Sequence, residues 1–258
     1  MHEKIEEAFG TLTKVVLGKK LENMQDYEEW LITNVRVEVQ RKSAISDEVF
    51  YIPPFLRFML TKEKIVSFEE SFETLGKRMV SAQEAKGLDL SNAAQKLKEI
   101  SYYTPEVRVG ENFELERCSI TANSSYGYRL IYFAECKFCA CSMWPRESEY
   151  IFGSEIVFSS KFCLKCYNSS YLTRCFEVSN STMSSDCYFC HNIENCTECM
   201  FCFNVKSKRY AIGNTEYPRE EYMRIKKLVL DEIVGKLEKG RKLDLNIFNI
   251  GCSLPTAD

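Results

Sequence analysis

The chain has 258 residues, of which 45% are hydrophobic and 28% charged, with a formal net charge of −3. That length holds one large or two modest domains, and the near balance of charge excludes a global pull toward nucleic acid or an anionic membrane surface. No apolar run reaches the length of a membrane span, and the charged opening Met1-His2-Glu3-Lys4 lacks the apolar core of a signal peptide, so a cytoplasmic location is expected. Thirteen cysteines in that compartment argue against a disulfide framework and for free thiols or bound metal. Asn123, Asn168 and Asn180 open glycosylation-like triplets, read as chance without a secretion signal.

Taken in order, residues 1–32 read as amphipathic helix. Ile5, Phe9, Leu12, Val16 and Leu21 follow helical spacing, Gly10 and Gly18 are weak points, and a second short helix starts near Asp26. Val35, Val37 and Val39 alternate with Arg36 and Glu38, which predicts a strand. Arg41 to Asp47 then reads as a polar turn and Val49 to Ile52 as a second strand, making a hairpin over 34–52 ended by Pro53-Pro54. Phe55 to Leu60 is short and apolar and is expected to be buried. Phe68, Phe72, Leu75 and Met79 predict a helix to Ser81, and Ser91 is placed to cap a helix running to about Ile100. The region 1–110 is therefore expected to be mainly α-helical, and it contains no cysteine.

From Cys118 to Val205 the pattern changes. Every cysteine of that stretch except Cys141 falls in one frame of three, together with Ser, Leu, Val, Ile and Thr, and every Lys, Arg, Asp and Glu falls in the other two frames. A period of three excludes an α-helix, whose stripe repeats every 3.6 residues, and a simple strand, whose period is two. A long 3₁₀ helix is disfavoured, and a collagen helix needs glycine in the frame. A solenoid remains, with one small or apolar side chain per unit directed into a narrow lumen and the core built by stacking. The spacing leaves the coil length open; an eighteen-residue coil fits the interval from Cys118 to Cys136, as do other multiples of three. Phe162, Tyr167, Tyr171, Phe176, Tyr188, Phe189, Phe201 and Phe203 lie in the outward frames and are expected to form ladders.

The frame breaks at Lys206-Ser207-Lys208-Arg209. Pro218, Glu220 and Glu221 suit a helix start. Tyr222, Ile225, Val229, Ile233 and Leu237 form one stripe, and Gly240 ends it. This helix is expected to cap the solenoid, whose open end would otherwise be an aggregation edge. Ile247 and Phe248 suggest partial order in the tail, with disorder beyond Pro255.

The segment around Lys208, Tyr210, Ile212 and Asn214, followed by Tyr217, Glu220, Glu221 and Tyr222, resembles the closing motif of Cys-rich repeat proteins of environmental prokaryotic genomes. Those chains run serial Cys-x-x-Cys units into a Lys-x-Tyr-x-Ile-x-Asn box and then a helix. The resemblance spans roughly Cys118 to Leu230 and implies a repeat fold and no particular activity. This chain departs from the pattern in having fewer cysteines per repeat and no Cys pair ahead of the solenoid.

For chemistry, Cys187, Cys190, Cys196 and Cys199 have zinc-knuckle spacing, with Cys202 following, Cys163-x-x-Cys166 nearby and His191 as a further ligand candidate. Because these pairs are instances of the longer period, lumen packing is favoured over zinc or an iron–sulfur cluster. Cys-x-x-Cys without a thioredoxin pattern is weak evidence for redox chemistry. Some left-handed β-helix enzymes are acyltransferases that use a His, which singles out His191, but the hexapeptide pattern is missing. His2 is terminal. Arg36, Arg41 and Lys42 read as a solvated face, and no phosphate loop or dinucleotide fingerprint is present. Lys161, Lys165 and Arg174 beside the aromatics could stack bases, although ladder packing is the plainer reading.

The expectation is an α+β chain: a mainly helical region 1–110, a Cys/Ser-lined parallel β-solenoid (β-helix) over 111–214, and a capping helix and tail over 215–258. The expected role is a non-enzymatic structural or protein-interaction protein without cofactor, engaging a protein partner or itself rather than nucleic acid or membrane. The alternatives are a zinc (or iron–sulfur) module that touches nucleic acid, and an enzyme with an unrecognised site.

Overall fold

The computed structural model describes residues 3–252; His2 and the segment beyond Pro255 lie outside them. Helix α1 (Glu3–Leu17) buries Ile5, Phe9, Leu12 and Val16 on one stripe and stops at Gly18, whose φ of 81° only glycine adopts freely. A short α2 (Glu28–Ile32) follows, then strands β1 (Val39–Lys42) and β2 (Val49–Ile52), paired antiparallel. The hairpin forms, but residues 34–38 are not its strand. Glu38 is drawn instead into ion pairs with Arg117 and Arg129, at 2.6 and 2.9 Å, which hold that segment on the solenoid.

Four short helices complete the region: α3 (Leu56–Leu60), α4 (Phe68–Glu73), α5 (Ala82–Lys86) and α6 (Ala93–Lys96). Three expectations change here. The segment at Phe55–Leu60 is not buried, since Leu56 and Leu60 are exposed. The helix from Phe68 does not reach Ser81. Ser67 and Glu70 form its capping box, and the helical run turns 3₁₀ at Leu75–Lys77, so only Leu75 of the predicted stripe is buried. Finally, Ser91 is not the cap of α6. Asp89 accepts from the amides of Ser91 and Asn92 and ties that turn into a tight loop ahead of Ala93.

The solenoid is present and makes about nine turns. Parallel pairing joins residues twelve apart, as in Lys161 with Thr173 and Cys163 with Cys175, so the coil has twelve residues rather than eighteen. Each coil is four tripeptides. Every third residue from Glu114 to Tyr210 is left-handed, with φ between 45° and 62°, and the chain turns a corner there. The residue after each corner points inward, which explains the frame of three. Left-handed φ costs a non-glycine residue roughly 1–2 kcal/mol, so the corners are tolerated only because the stacked coils fix them. They also interrupt the ladder, and the inward side chains repair it. Ser154 Oγ accepts the Cys166 amide at 3.0 Å and donates to the Phe152 carbonyl at 3.1 Å. Ser124, Ser142, Ser148, Ser160, Ser169, Ser181 and Ser184 also accept the amide twelve residues on. The cysteines donate to the carbonyl two residues back and, in many cases, to one nine residues on in the next coil, as Cys166 does to Leu164 and Cys175.

One lateral face, with Phe152, Leu164, Phe176, Tyr188 and Met200, packs under α1 and α2. Tyr188 donates to the Val16 carbonyl at 3.0 Å. Beside it Tyr126, Phe138, Tyr150 and Phe162 form a ladder with ring centroids 4.6 to 5.1 Å apart, which holds only Phe162 of the aromatics expected to align, whereas the expected Phe189 and Phe201 stack at 5.5 Å. Helix α7 (Arg219–Gly240) closes the chain against the last coils. Tyr222 packs on Tyr210, and Lys226 pairs with Glu198 at 2.6 Å. The final strand edge is covered by Thr215–Glu216, antiparallel to Arg209–Ile212, and by Asn214, which bonds both backbone groups of Phe203. No described helix is long and apolar enough to cross a membrane.

Candidate functional site

The predicted metal set separates into columns. Cys187 and Cys199 stack in register. Cys190 and Cys202 follow them by one tripeptide and occupy the next column, and Cys196 sits with Ser184 in a third, its amide bonded to Ser184 Oγ. These thiols are fully buried and donate to backbone carbonyls. Among the described residues no group of three or more His, Cys, Asp or Glu is placed to hold a metal ion. Burial pushes the Cys166 and Cys190 thiols well above the ordinary range, and neighbouring thiols do the same at Cys187. Of the shifted thiols Cys202 is the one pulled down, by its neighbours Cys190 and Cys199 and by the Asn214 amide that donates to its sulfur at 3.4 Å. It is sealed from solvent.

One flank carries Glu155, Tyr167, Ser179, His191 and Phe203, successive residues of one column twelve apart. The segment at Asn34 and the tail at Ile247–Phe248 cross this flank and enclose a groove of about 450 Å³. Ser179 Oγ lies 2.8 Å from His191 Nδ1. In the adjoining corner column Asn168 Nδ2 donates to Asn180 Oδ1 at 2.7 Å and Asn192 to Asn204 at 2.9 Å. Asparagine suits that column because its short polar side chain tolerates left-handed φ. Phe248 packs edge-on against Tyr167 at 4.8 Å.

Behind the groove Lys165 and Glu177 stack in the next corner column, both almost fully buried. Lys165 Nζ donates to the Trp30 and Thr33 carbonyls at 2.7 and 2.9 Å, and Glu177 accepts the Ile247 amide at 2.9 Å. Burial pushes Glu177 up to about 7 and Lys165 down to about 8. The pair anchors both segments that form the groove walls. It was missed in the sequence because only the twelve-residue period reveals that these two residues are neighbours.

The Ser–His contact alone is not a hydrolytic triad. Ser179 is 3% exposed. Glu155, the carboxylate lining the groove, is held by the Arg36 amide and guanidinium at 2.6 to 2.9 Å and stands three coils from His191 in the column, out of reach of the imidazole that a triad acid would orient. What the groove offers is amide, hydroxyl and imidazole groups between aromatic walls. No known protein family matches the chain, and no curated protein matches it by sequence.

Proposed function

We propose that the protein is a non-enzymatic interaction protein that recognises a protein partner through the groove at Ser179, His191 and Asn180. The observation that carries this reading is the crossing of the His191 flank by the Asn34 segment and by Ile247–Phe248, which encloses Asn180, His191 and Phe203 in one groove. Its fixed amide and imidazole groups would satisfy a polar main chain, and Phe203 and Phe248 would take an apolar side chain. The twelve-residue coil supports the reading because it holds these groups rigidly at strand spacing.

The test is a photo-crosslinking residue placed at Asn180, with the exposed Glu135 of another flank as control, in cells that express the protein. A discrete protein adduct at 180 and none at 135 is expected, and a self-adduct would make the partner a second copy. Equal crosslinking at both positions, or none at 180, overturns the proposal. Labelling of Ser179 by a fluorophosphonate, lost in Ser179→Ala, overturns the non-enzymatic reading.

A further inference from the structure

A second groove, independent of the first, lies where α3 and the segment at 104–109 cross the first coils, and it encloses about 400 Å³. Two arginines line it, Arg57 and Arg146, and no Asp or Glu does. Each guanidinium rests on aromatic rings. Arg57 lies 4.9 Å from the Phe55 centroid and 4.8 Å from that of Phe58, and Arg146 lies 5.6 Å from Tyr132 and 5.5 Å from Trp144. Phe55 meets Tyr132 edge-on at 6.3 Å, so the two platforms are continuous. Stacking orients a guanidinium while leaving its in-plane donors free.

Those donors are unused. Among the described residues neither guanidinium forms an ion pair or a hydrogen bond, whereas Arg36, Arg117, Arg129 and Arg174 are each bound to a carboxylate. Both arginines are exposed, so their in-plane donors are open to an anion from solvent, and the rings beneath them hold the two in one groove. Apart from Thr104 and Thr121 the rest of the lining is apolar or aromatic: Pro105 is buried, and Val107 and Val109 are about half exposed, at 49% and 53%.

We propose that this groove binds a small carboxylate with an apolar body. The carboxylate engages the planar donors of Arg57 and Arg146, a geometry that favours it over a bare point charge. The body lies on Val107 and Val109. The volume is within the range of small-molecule sites.

The test is calorimetric titration with 2-naphthoate at low ionic strength, with 2-naphthalenemethanol as its uncharged counterpart and inorganic phosphate as the bare anion. Saturable one-to-one binding of naphthoate is expected. Affinity should fall at least tenfold for the alcohol and in Arg57→Gln and Arg146→Gln. Val109→Glu, which adds a carboxylate at an exposed position, should also lose at least tenfold and provides a readout should either arginine variant fold poorly. Arg209→Gln, on another flank, should bind like the parent. Equal affinity for the alcohol, equal affinity for phosphate, undiminished binding in all three groove variants, or no binding by the parent at millimolar naphthoate would overturn the assignment.

Discussion

Replacing Ser154 by alanine tests the idea that the lumen serines are part of the backbone ladder rather than small fillers. Ser154 is 1% exposed, and its hydroxyl makes two bonds. The two losses are unequal. The Phe152 carbonyl keeps the Lys165 amide at 2.9 Å, so losing the hydroxyl costs it about 1 kcal/mol net. The Cys166 amide keeps nothing and becomes a stranded buried donor, at about 1–3 kcal/mol. Alanine fills almost the same space, so the cavity contribution is small. Ser154→Ala should therefore destabilise by about 2–4 kcal/mol, read as a lowered urea midpoint with unchanged slope. Ser154→Cys should lose less, because a thiol still donates and its sulfur can accept an amide, as Cys202 Sγ does from Asn214 at 3.4 Å. Ser159→Ala, at an outer corner, should stay within about 0.5 kcal/mol of the parent. A Ser154→Ala loss below about 0.5 kcal/mol, or equal to that of Ser159→Ala, would refute the ladder role and leave the serines as space-fillers.

Three further outcomes are expected. Gly153 sits at a corner with φ of 62°, and a Cβ there would lie 2.8 Å from the Leu31 carbonyl, whereas one at Gly213 (φ 55°) would meet nothing within 4 Å; Gly153→Ala should cost about 2–4 kcal/mol and Gly213→Ala about 1, by thermal unfolding. Glu177 in the folded state keeps its proton up to about pH 7, so its stabilising contribution is complete below the unfolded carboxyl value and is lost as pH rises through about 7; Glu177→Gln should flatten the stability decline across that window, and a decline of unchanged slope would remove Glu177 as its source. In a native thiol titration the exposed Cys252 should react at once, the buried thiols only on unfolding, and chelator should change neither; thiols released by chelator would place a metal in the lumen.

How much of this was legible in the sequence follows from which period each feature obeys. The inward frame of three has no charges and almost all the cysteines, so the solenoid and its lumen could be read from one chain. The coil length could not, because a tripeptide frame is blind to how many tripeptides make a turn. The outer columns hold that information, as in Arg174 with Asp186, Glu149 with Lys161 and Glu194 with Lys206. Their residue types vary too much along the stack to announce a period of twelve. The N-terminal region was less legible for a different reason. Val35–Val39 has strand alternation, and Phe68–Met79 has a helical stripe. In both cases contacts to the solenoid or a local cap prevailed over local pattern, as at Glu38 with Arg129. His191 was singled out alone; Ser179, its partner, lies twelve residues earlier and becomes visible only once the coil is known.

The same geometry explains where a site can form on such a fold. A bare solenoid flank repeats one tripeptide position every twelve residues, so it offers stacked ladders such as Asn168–Asn180 or Tyr150–Phe162 but little convergence. Convergence requires a second segment crossing the stack. That happens at Asn34 and Phe248 over the Ser179–His191 column, and at Arg57 and Phe58 over the Tyr132–Trp144 column, and both places enclose a groove. The crossing segments are held by buried polar anchors. Lys165 holds the Trp30 and Thr33 carbonyls and Glu177 holds the Ile247 amide, while Glu38 bridges Arg117 and Arg129. Buried ionisable groups are poor sources of net stability but costly to leave without a partner, so they fix position rather than add strength. The lumen thus supplies rigidity and the anchors supply register, while the two seams where helix-region and tail residues meet the coils supply the convergence that a bare flank lacks.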